Sequence, residues 1–89
     1  MIIIELPGED FPFEGHTWTE VVEDLRRRSE IDKDTDDSTD AVLDRFVDRW
    51  EKIHLREGQK LTLPSPFDLK AEAFFRTLLI RGHIKMREE

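Results

Sequence analysis

The stretch SPFDLKAEAFFRTLLIRG, residues 65–82, decides the fold, because it predicts a helix with both ends marked. Ser65 can cap the first free amide groups, Pro66 suits the first helical position, and Gly82 permits the left-handed turn that ends many helices. Apolar residues on one face predict a core-facing stripe of Phe67, Ala71, Phe74, Phe75, Leu78 and Leu79. A narrower second stripe on the opposite side consists of Leu69, Ala73 and Ile80. A helix that is apolar on two sides is either enclosed or presents one face to a partner.

The N-terminal segment predicts a strand followed by a loop. The apolar residues Ile2, Ile3, Ile4 and Leu6 suit a strand buried on both faces, and Pro7-Gly8 ends it. Residues 9–15 contain proline and glycine and predict a loop that carries Phe11 and Phe13. These two rings either fold back over an open end of the core or serve as an aromatic anchor for a partner.

A first helix is predicted to begin at a capping box. Thr17 and Glu20 match the Ser/Thr-x-x-Glu pattern, and apolar residues at helical spacing extend the helix for about three turns, to Arg28. The three arginines at residues 26–28 suit the C-terminus of this helix. Glu23 and Asp24 stand four residues before Arg27 and Arg28, which favours ion pairs within the helix over a nucleic-acid site.

A longer second helix follows an acidic linker. Asp37 or Ser38 caps it, and it runs to about Glu57, with Gly58 as its stop. Its predicted core-facing residues are Val42, Leu43, Phe46, Val47, Trp50 and Ile53. His54 lies near this stripe, where a single histidine is expected to be a satisfied residue at the edge of the core rather than a ligand.

Two short strands are predicted in the C-terminal third, Lys60–Leu63 and Ile84–Arg87, the latter at a sheet edge. No tight hairpin links any two strands, so helical crossovers should make them parallel. We therefore predict a single domain over residues 1–89, of α+β or small α/β class, with the order β-α-α-β-α-β. Three helices should pack on a three-stranded, mainly parallel sheet, with an acidic linker at about residues 30–38.

The chain is small and strongly acidic. Its 89 residues, 37% of them hydrophobic, can bury one modest core. The net charge of −7 argues against unaided binding to nucleic acid or to anionic lipid, because both reward clustered cations. The N-terminal apolar run is too short for a signal peptide or a membrane span, so we expect a cytoplasmic protein without membrane association. Because cysteine is absent, disulfides and thiolate metal sites are excluded.

Patterns typical of enzymes and metal sites are missing from the sequence. The serines fall at helix ends, the three histidines share no spacing, and the glycines are isolated turn residues rather than a phosphate loop. Asp32, Asp34 and Asp36 alternate like the opening of a calcium loop. Asp37, however, stands where that loop needs glycine, and Leu43 stands where it needs a bidentate carboxylate. We predict no enzyme activity, no cofactor and no metal site.

Acidic residues are concentrated in one segment of the chain. Residues 30–48 contain eight acids against Lys33 and Arg45, and so account for −6 of the net charge of −7. Along the second helix, acids line one flank of the solvent side and basic residues line the other. We predict that this acidic face binds a basic protein partner, as an inhibitor, immunity protein or antagonist would. The predicted site residues are Asp36, Asp37, Asp40, Asp44, Asp48 and Glu51.

The segment DAVLDRF, residues 40–46, is similar to the Asp-Ala-apolar-apolar-Asp segment in the second helix of the barstar family of small acidic ribonuclease inhibitors. The chain length and the predicted element order resemble that family as well. In the family, these acids oppose the basic active site of a nuclease, so the resemblance implies an acidic inhibitor. The family's Tyr-Gly-x-Asn lead-in is replaced here by Asp-Asp-Ser-Thr at residues 36–39. The likeness covers seven residues, and we use it as an analogy and assign no family.

Two other functions fit the sequence. A homo-oligomeric structural or adaptor protein would use the second apolar stripe, Leu69, Ala73 and Ile80. A nucleic-acid binder would use a segregated basic patch, because residues 58–89 carry six cations against four acids. That patch would consist of Arg26, Arg27, Arg28, Arg76, Arg81, Lys85 and Arg87. The net charge of the chain opposes nucleic acid as the partner.

Overall fold

The chain forms two neighbouring strands, three helices and a final strand in the computed structural model, which describes residues 1–8, 11–28 and 38–89. The elements are β1 (Ile2–Glu5), β2 (Phe13–Gly15), α1 (Trp18–Arg28), α2 (Thr39–His54), α3 (Phe67–Ile80) and β3 (Lys85–Glu88). The α+β class and the three helices are as predicted. The Cα atoms extend over 35 × 31 × 27 Å, so sheet and helices form a small compact structure.

The sheet is antiparallel, with the strand order β2-β1-β3. Ile3 in the middle strand is paired with Glu14 of β2 on one side and with Arg87 of β3 on the other. The predicted parallel sheet and the order β-α-α-β-α-β are therefore wrong. The reason is that β1 and β2 are separated by only the seven residues 6–12, fewer than a parallel crossover requires, and the two strands pair antiparallel. The final strand does lie at an edge, as predicted.

The strand β2 comes from a segment whose proline and glycine predicted a loop. Phe13 and Gly15 are buried and Glu14 is exposed, which is the alternation of a strand with one buried face. A Cβ atom added to Gly15 would lie 2.6 Å from the Cβ of Glu20 and 2.7 Å from the backbone nitrogen of Val21. Gly15 is therefore required by the close approach of this strand to the start of α1.

Residues Lys60–Leu63, the second of the predicted strands, form no strand. Leu61 and Leu63 are half-buried against the core. The amide of Leu61 donates a hydrogen bond to Oε2 of Glu51 at 2.5 Å. A side chain of α2 thus takes the place of a neighbouring strand in satisfying this backbone group. The segment belongs to the connection between α2 and α3.

The helix α1 begins with the predicted capping box. The amide of Glu20 donates to Oγ1 of Thr17 at 3.2 Å, and Oε2 of Glu20 accepts the amide of His16 at 3.2 Å. The Thr17 half of the capping box is thus formed, whereas Glu20 reaches back to the amide of His16, one residue before the cap, and to the hydroxyl of Thr17. The helix then directs Val21 and Val22 into the core, where both are fully buried.

The helix α2 begins at a predicted cap and ends earlier than expected. The amide of Ala41 donates a hydrogen bond to Oγ of Ser38 at 3.2 Å. Ser38, one of the two predicted capping residues, is therefore the N-cap of the helix. The helix ends at His54 rather than near residue 57. Ile53, which was predicted to face the core, is 75% exposed. It lies in the last helical turn, one turn past Trp50, which is the last core residue of this helix.

The helix α3 ends as predicted but begins differently. Pro66 occupies the N-cap position and no side-chain hydrogen bond caps the helix, so Ser65 does not serve as predicted. At the other end, the amide of His83 donates to the carbonyl of Leu78 at 2.9 Å, and Gly82 has φ of +77°. Of the predicted core stripe, Ala71, Phe74, Phe75 and Leu78 are buried, Phe67 is half-buried and Leu79 is 36% exposed.

The core lies between the three helices and one face of the sheet. Trp18 of α1 stacks on Phe75 of α3, with ring centroids 5.6 Å apart. Trp50 of α2 meets Phe74 of α3 edge-on at 6.2 Å. These two aromatic pairs place α3 in contact with both other helices. The buried cluster consists of Ile4, Phe13, Trp18, Val21, Val22, Val42, Leu43, Val47, Trp50, Ala71, Phe74, Phe75, Leu78 and Ile84.

Candidate functional site

The predicted acidic face lies on α2. Asp40, Asp44 and Asp48 recur every four residues, which places them on one face of the helix. Their side chains are 61%, 58% and 52% exposed. The other side of the helix is fixed by four side chains buried in the core. The structure therefore brings three of the six predicted site residues together at the surface.

Two lysines lie among these carboxylates. The Nζ atom of Lys70, in α3, is 3.4 Å from Oδ1 of Asp40 and also contacts Asp44. The Nζ atom of Lys52 is 2.9 Å from Oδ2 of Asp48, one helical turn away. The face thus contains three carboxylates and two ammonium groups, and Asp40 and Asp44 share one ammonium group between them.

The ion pairs alter the proton affinity of three of these groups. The hydrogen bond from Lys52 holds the pKa of Asp48 below its ordinary value, and the same contact raises the pKa of Lys52. Burial by itself lowers the pKa of Lys70, but the hydrogen bond and charge of Asp44, together with Asp40, outweigh burial and raise it. Asp48 and the two lysines are consequently charged at neutral pH.

Glu51 has a structural contact that the sequence did not reveal. It lies on the same side of α2 as the aspartates, but it is half-buried, and its Oε2 accepts the amide of Leu61. This carboxylate fixes the returning connection to α2. A partner that competed for Glu51 would have to break this internal hydrogen bond.

Two of the predicted site residues, Asp36 and Asp37, lie outside the described residues. The same holds for Asp32 and Asp34 of the calcium-loop comparison. Their acidic character remains part of the charge of the segment, and their role at the site stays a prediction.

The alternative interface lies on the solvent side of α3. Leu69 is 50% exposed and Ile80 is 85% exposed, whereas Ala73 is half-buried. Arg76 falls between the last two on the same face, and its guanidinium lies 2.9 Å from Glu72. The stripe is therefore apolar at its two ends and charged in between.

Of the basic residues in the nucleic-acid alternative, the three arginines at the end of α1 form ion pairs with acids of the same helix. Arg27 and Arg28 both lie 3.5 Å from Asp24, and Arg26 lies 3.6 Å from Glu23. The predicted pairing of Glu23 with Arg27 is thus replaced by pairing one residue earlier. Arg28 also donates to the backbone oxygen of the loop residue Phe11 at 2.9 Å.

Phe11 and Phe13 differ in burial, and Arg28 contacts both residues. Phe13 is buried and Arg28 lies over its ring at 4.9 Å from the centroid. Phe11, whose backbone Arg28 holds, is 72% exposed. One ring thus closes the core as expected, and the other faces solvent.

A cleft of about 340 Å³ lies at the C-terminal end of α2. Its charged lining residues are Asp48, Glu51 and Glu57 against Lys52, Arg56 and Lys60. Because acids and bases balance, the cleft does not favour a ligand of either charge.

Two histidines and a tryptophan meet where α2 and α3 end. Nε1 of Trp50 donates to Nδ1 of His83 at 3.0 Å, and the ring of His54 lies 4.3 Å from that of His83. Arg81 covers the Trp50 ring at 5.1 Å from the centroid. His54 is exposed, although its ring also lies near Trp50. Helical spacing places His54 near Trp50 on α2, but no local pattern links either residue to His83, which follows α3.

Metal-binding groups and membrane-spanning helices are absent from residues 1–8, 11–28 and 38–89. No three histidine, aspartate or glutamate side chains there are arranged to hold a metal ion. No helix in these ranges is both long and apolar enough to cross a membrane.

No family model matches the chain, and no curated protein or solved structure matches it either. The predicted element order, which contributed to the likeness to barstar, is wrong. What remains of that likeness is the chain length and the seven-residue segment 40–46.

Proposed function

We propose that this protein is a small, non-enzymatic, acidic interaction module that presents α2 to a basic protein partner. It would act in the cytoplasm as an inhibitor, immunity protein or antagonist. The observation that carries the proposal is the row of Asp40, Asp44 and Asp48, each more than half exposed, on a helix whose other side is buried in the core. Asp36 and Asp37 would extend this site in front of the helix.

The rigidity of α2 supports this role. Ser38 caps the helix, and Val42, Leu43, Val47 and Trp50 anchor it in the core. The spacing of the carboxylates is therefore set before a partner arrives, so binding costs little conformational entropy at the backbone.

The two lysines leave the carboxylates available. Exposed ion pairs such as Asp48 with Lys52 contribute little to stability, because solvent screens both charges. A partner's arginine can bind a carboxylate through two parallel hydrogen bonds, which a lysine cannot do. Partner arginines would accordingly replace the exposed Lys52 readily. Lys70, which is 22% exposed and contacts both Asp40 and Asp44, would be displaced less easily.

The proposal is tested with the whole chain as bait and a variant in which the three aspartates become asparagines. Asp40→Asn, Asp44→Asn and Asp48→Asn together remove three charges without changing side-chain shape. Immobilised wild-type chain should capture a basic protein from an extract of its source cell, and the purified pair should then bind in surface plasmon resonance. The variant should bind it at least tenfold more weakly, because exposed carboxylates facing cations are lost.

A matched control removes three other exposed charges. Glu14→Gln, Glu88→Gln and Glu89→Gln alter the net charge equally but lie in the sheet strands β2 and β3 or directly after β3, away from α2. This control should bind the partner with nearly wild-type affinity. Equal weakening in both variants would mean that net charge alone, and not the face of α2, determines binding, and the proposal would fail.

A second candidate function is homo-oligomeric assembly through the solvent side of α3. The observation that favours it is the exposure of Leu69 and Ile80 on one face of that helix. Sedimentation velocity at rising protein concentration measures it directly. Under this candidate the wild-type chain self-associates and Ile80→Asp abolishes association, while the three asparagine substitutions on α2 leave it intact. A wild-type chain that stays monomeric at high concentration excludes it.

A further inference from the structure

The junction between the ends of α2 and α3 contains a hydrogen bond that requires a neutral histidine. Nε1–H of Trp50 donates to Nδ1 of His83 at 3.0 Å. Nδ1 therefore carries no proton, and the neutral ring carries its proton on Nε2. Trp50 is only 9% exposed, so water has little access to its indole group. His83 is the acceptor that satisfies this buried donor.

A second imidazole and a guanidinium surround this hydrogen bond. The rings of His54 and His83 are tilted by 39° with centroids 4.3 Å apart, and His54 also lies 5.1 Å from Trp50. Arg81, at the end of α3, lies over the Trp50 ring. A proton gained by His83 would thus lie beside the ring of His54, which can itself become charged, while the Arg81 guanidinium already lies over the adjoining Trp50 ring.

Carboxylates that would compensate such a charge are engaged elsewhere. Glu51, one turn before His54 on α2, accepts a backbone amide of the following connection. Asp48 is paired with Lys52. On the strand that follows, Lys85 adds another cation two residues after His83. Among the described residues, no ion pair joins a carboxylate to either histidine of the junction.

We propose that this junction is an acid-sensitive joint: protonation of His83 and His54 breaks the Trp50–His83 hydrogen bond and separates the ends of α2 and α3. A doubly protonated His83 has no acceptor, and turning its ring over presents a C–H, which cannot accept either. Two charged rings at 4.3 Å also repel each other. Imidazoles take up protons between about pH 5 and 8, so the joint responds to mild acidification.

The direction of the effect follows from which form is stabilised. The hydrogen bond exists only while Nδ1 of His83 carries no proton, so a proton on that atom removes the contribution of this bond to stability, and adding acid lowers it. The inference goes beyond the proposed binding role and does not depend on it, because it concerns the joint between two helices rather than the aspartates of α2.

A direct test follows the indole N–H signals of the whole chain in ¹H–¹⁵N NMR spectra from pH 8 to pH 5.5. The chain has two tryptophans, and Trp18 serves as the internal control because it stacks on Phe75 and takes no part in the ring contacts of His54 and His83. The Trp50 signal should move upfield as its hydrogen bond is lost, while the Trp18 signal stays in place. A Trp50 signal that does not move through the titration of His83 overturns the proposal.

Thermal melts of histidine variants provide the second test. Asparagine at residue 83 places a carbonyl oxygen about where Nδ1 lies but does not titrate. We expect the wild-type melting temperature to fall by about 4–8 °C between pH 7.5 and 5.5, the shift that corresponds to a loss of about one hydrogen bond in a domain of this size. His83→Asn should remove most of that fall, and His54→Gln should reduce it.

The matched control is the third histidine. His16 is exposed at the start of α1, and His16→Gln should keep the full wild-type fall. If His83→Asn retains the same fall as the wild type, the pH sensitivity lies elsewhere and the joint is not its source. If that variant does not fold, the wild-type NMR titration alone decides.

Discussion

At the scale of single residues, Phe75 shows most clearly how the sequence specifies the core. It is 4% exposed, stacks on Trp18 and lies 5.4 Å from the ring of Phe74. Phe75→Ala would leave a cavity between α1 and α3, and we expect the free energy of unfolding to fall by about 3–5 kcal/mol in urea denaturation. Ile80→Ala, on the same helix but 85% exposed, is the control and should change it by less than about 0.5 kcal/mol. A loss at Phe75 no larger than at Ile80 would contradict this assignment.

Other residues could not be assigned from local pattern. The local pattern predicts Gly15 to be a loop glycine. The structure requires glycine there for a different reason: a Cβ atom at residue 15 of β2 would lie only 2.6 Å from the Cβ of Glu20, at the start of α1. Trp50 and His83 are 33 residues apart in the chain, and their hydrogen bond exists only because two helices end at the same place. Such contacts depend on tertiary geometry, which the periodicity of one segment does not contain.

At the scale of elements, two serines that precede helices make a controlled comparison. Oγ of Ser38 accepts the amide of Ala41 at the start of α2, whereas Ser65 provides no cap for α3. Ser38→Ala should therefore lower the free energy of unfolding by about 1 kcal/mol. Ser65→Ala should leave it nearly unchanged. Urea denaturation of the two variants checks this, and equal losses would show that the Ser38 hydrogen bond does not stabilise the protein.

The helices were predicted far better than the strands. Apolar spacing, the Thr17–Glu20 capping box and Gly82 are local signals, and each marks a helix or an end of one in the structure. Strands of three or four residues give little pattern of their own, and whether they form depends on a neighbour. Phe13–Gly15 forms a strand because it pairs with β1. Lys60–Leu63 forms no strand, and the amide of Leu61 donates its hydrogen bond to the carboxylate of Glu51 in α2 instead.

At the scale of the whole molecule, the topology followed from long-range pairing that the sequence left open. No tight hairpin links the predicted strands in the sequence, and this pattern favours parallel strands joined by helical crossovers. The structure instead places β1 between β2 and β3 and pairs it antiparallel with both. The acidic face was predictable in part, because Asp40, Asp44 and Asp48 follow helical spacing, while the engagement of Glu51 depended on where the chain returns after α2.

The uneven distribution of charge leads to the last prediction, which concerns association with a basic partner. Residues 1–57 contain seventeen acids against eight lysines and arginines, whereas residues 58–89 contain four against six. A cationic partner should therefore be attracted toward the acidic part of the molecule, with an association rate that decreases as salt screens the charges.

Stopped-flow or surface plasmon resonance measurements at 0.1 M and 1 M salt test this, because the Debye length falls from about 10 Å to about 3 Å over that range. We expect the association rate constant of the wild-type chain to fall by about tenfold or more and the dissociation rate to change less. The variant Asp40→Asn, Asp44→Asn, Asp48→Asn should show a flatter salt dependence, since its α2 face no longer contributes to steering. The charge-matched control at Glu14, Glu88 and Glu89 should remain closer to the wild type. If both variants follow the same salt dependence, steering arises from the net charge of the chain and the face of α2 has no special part in it.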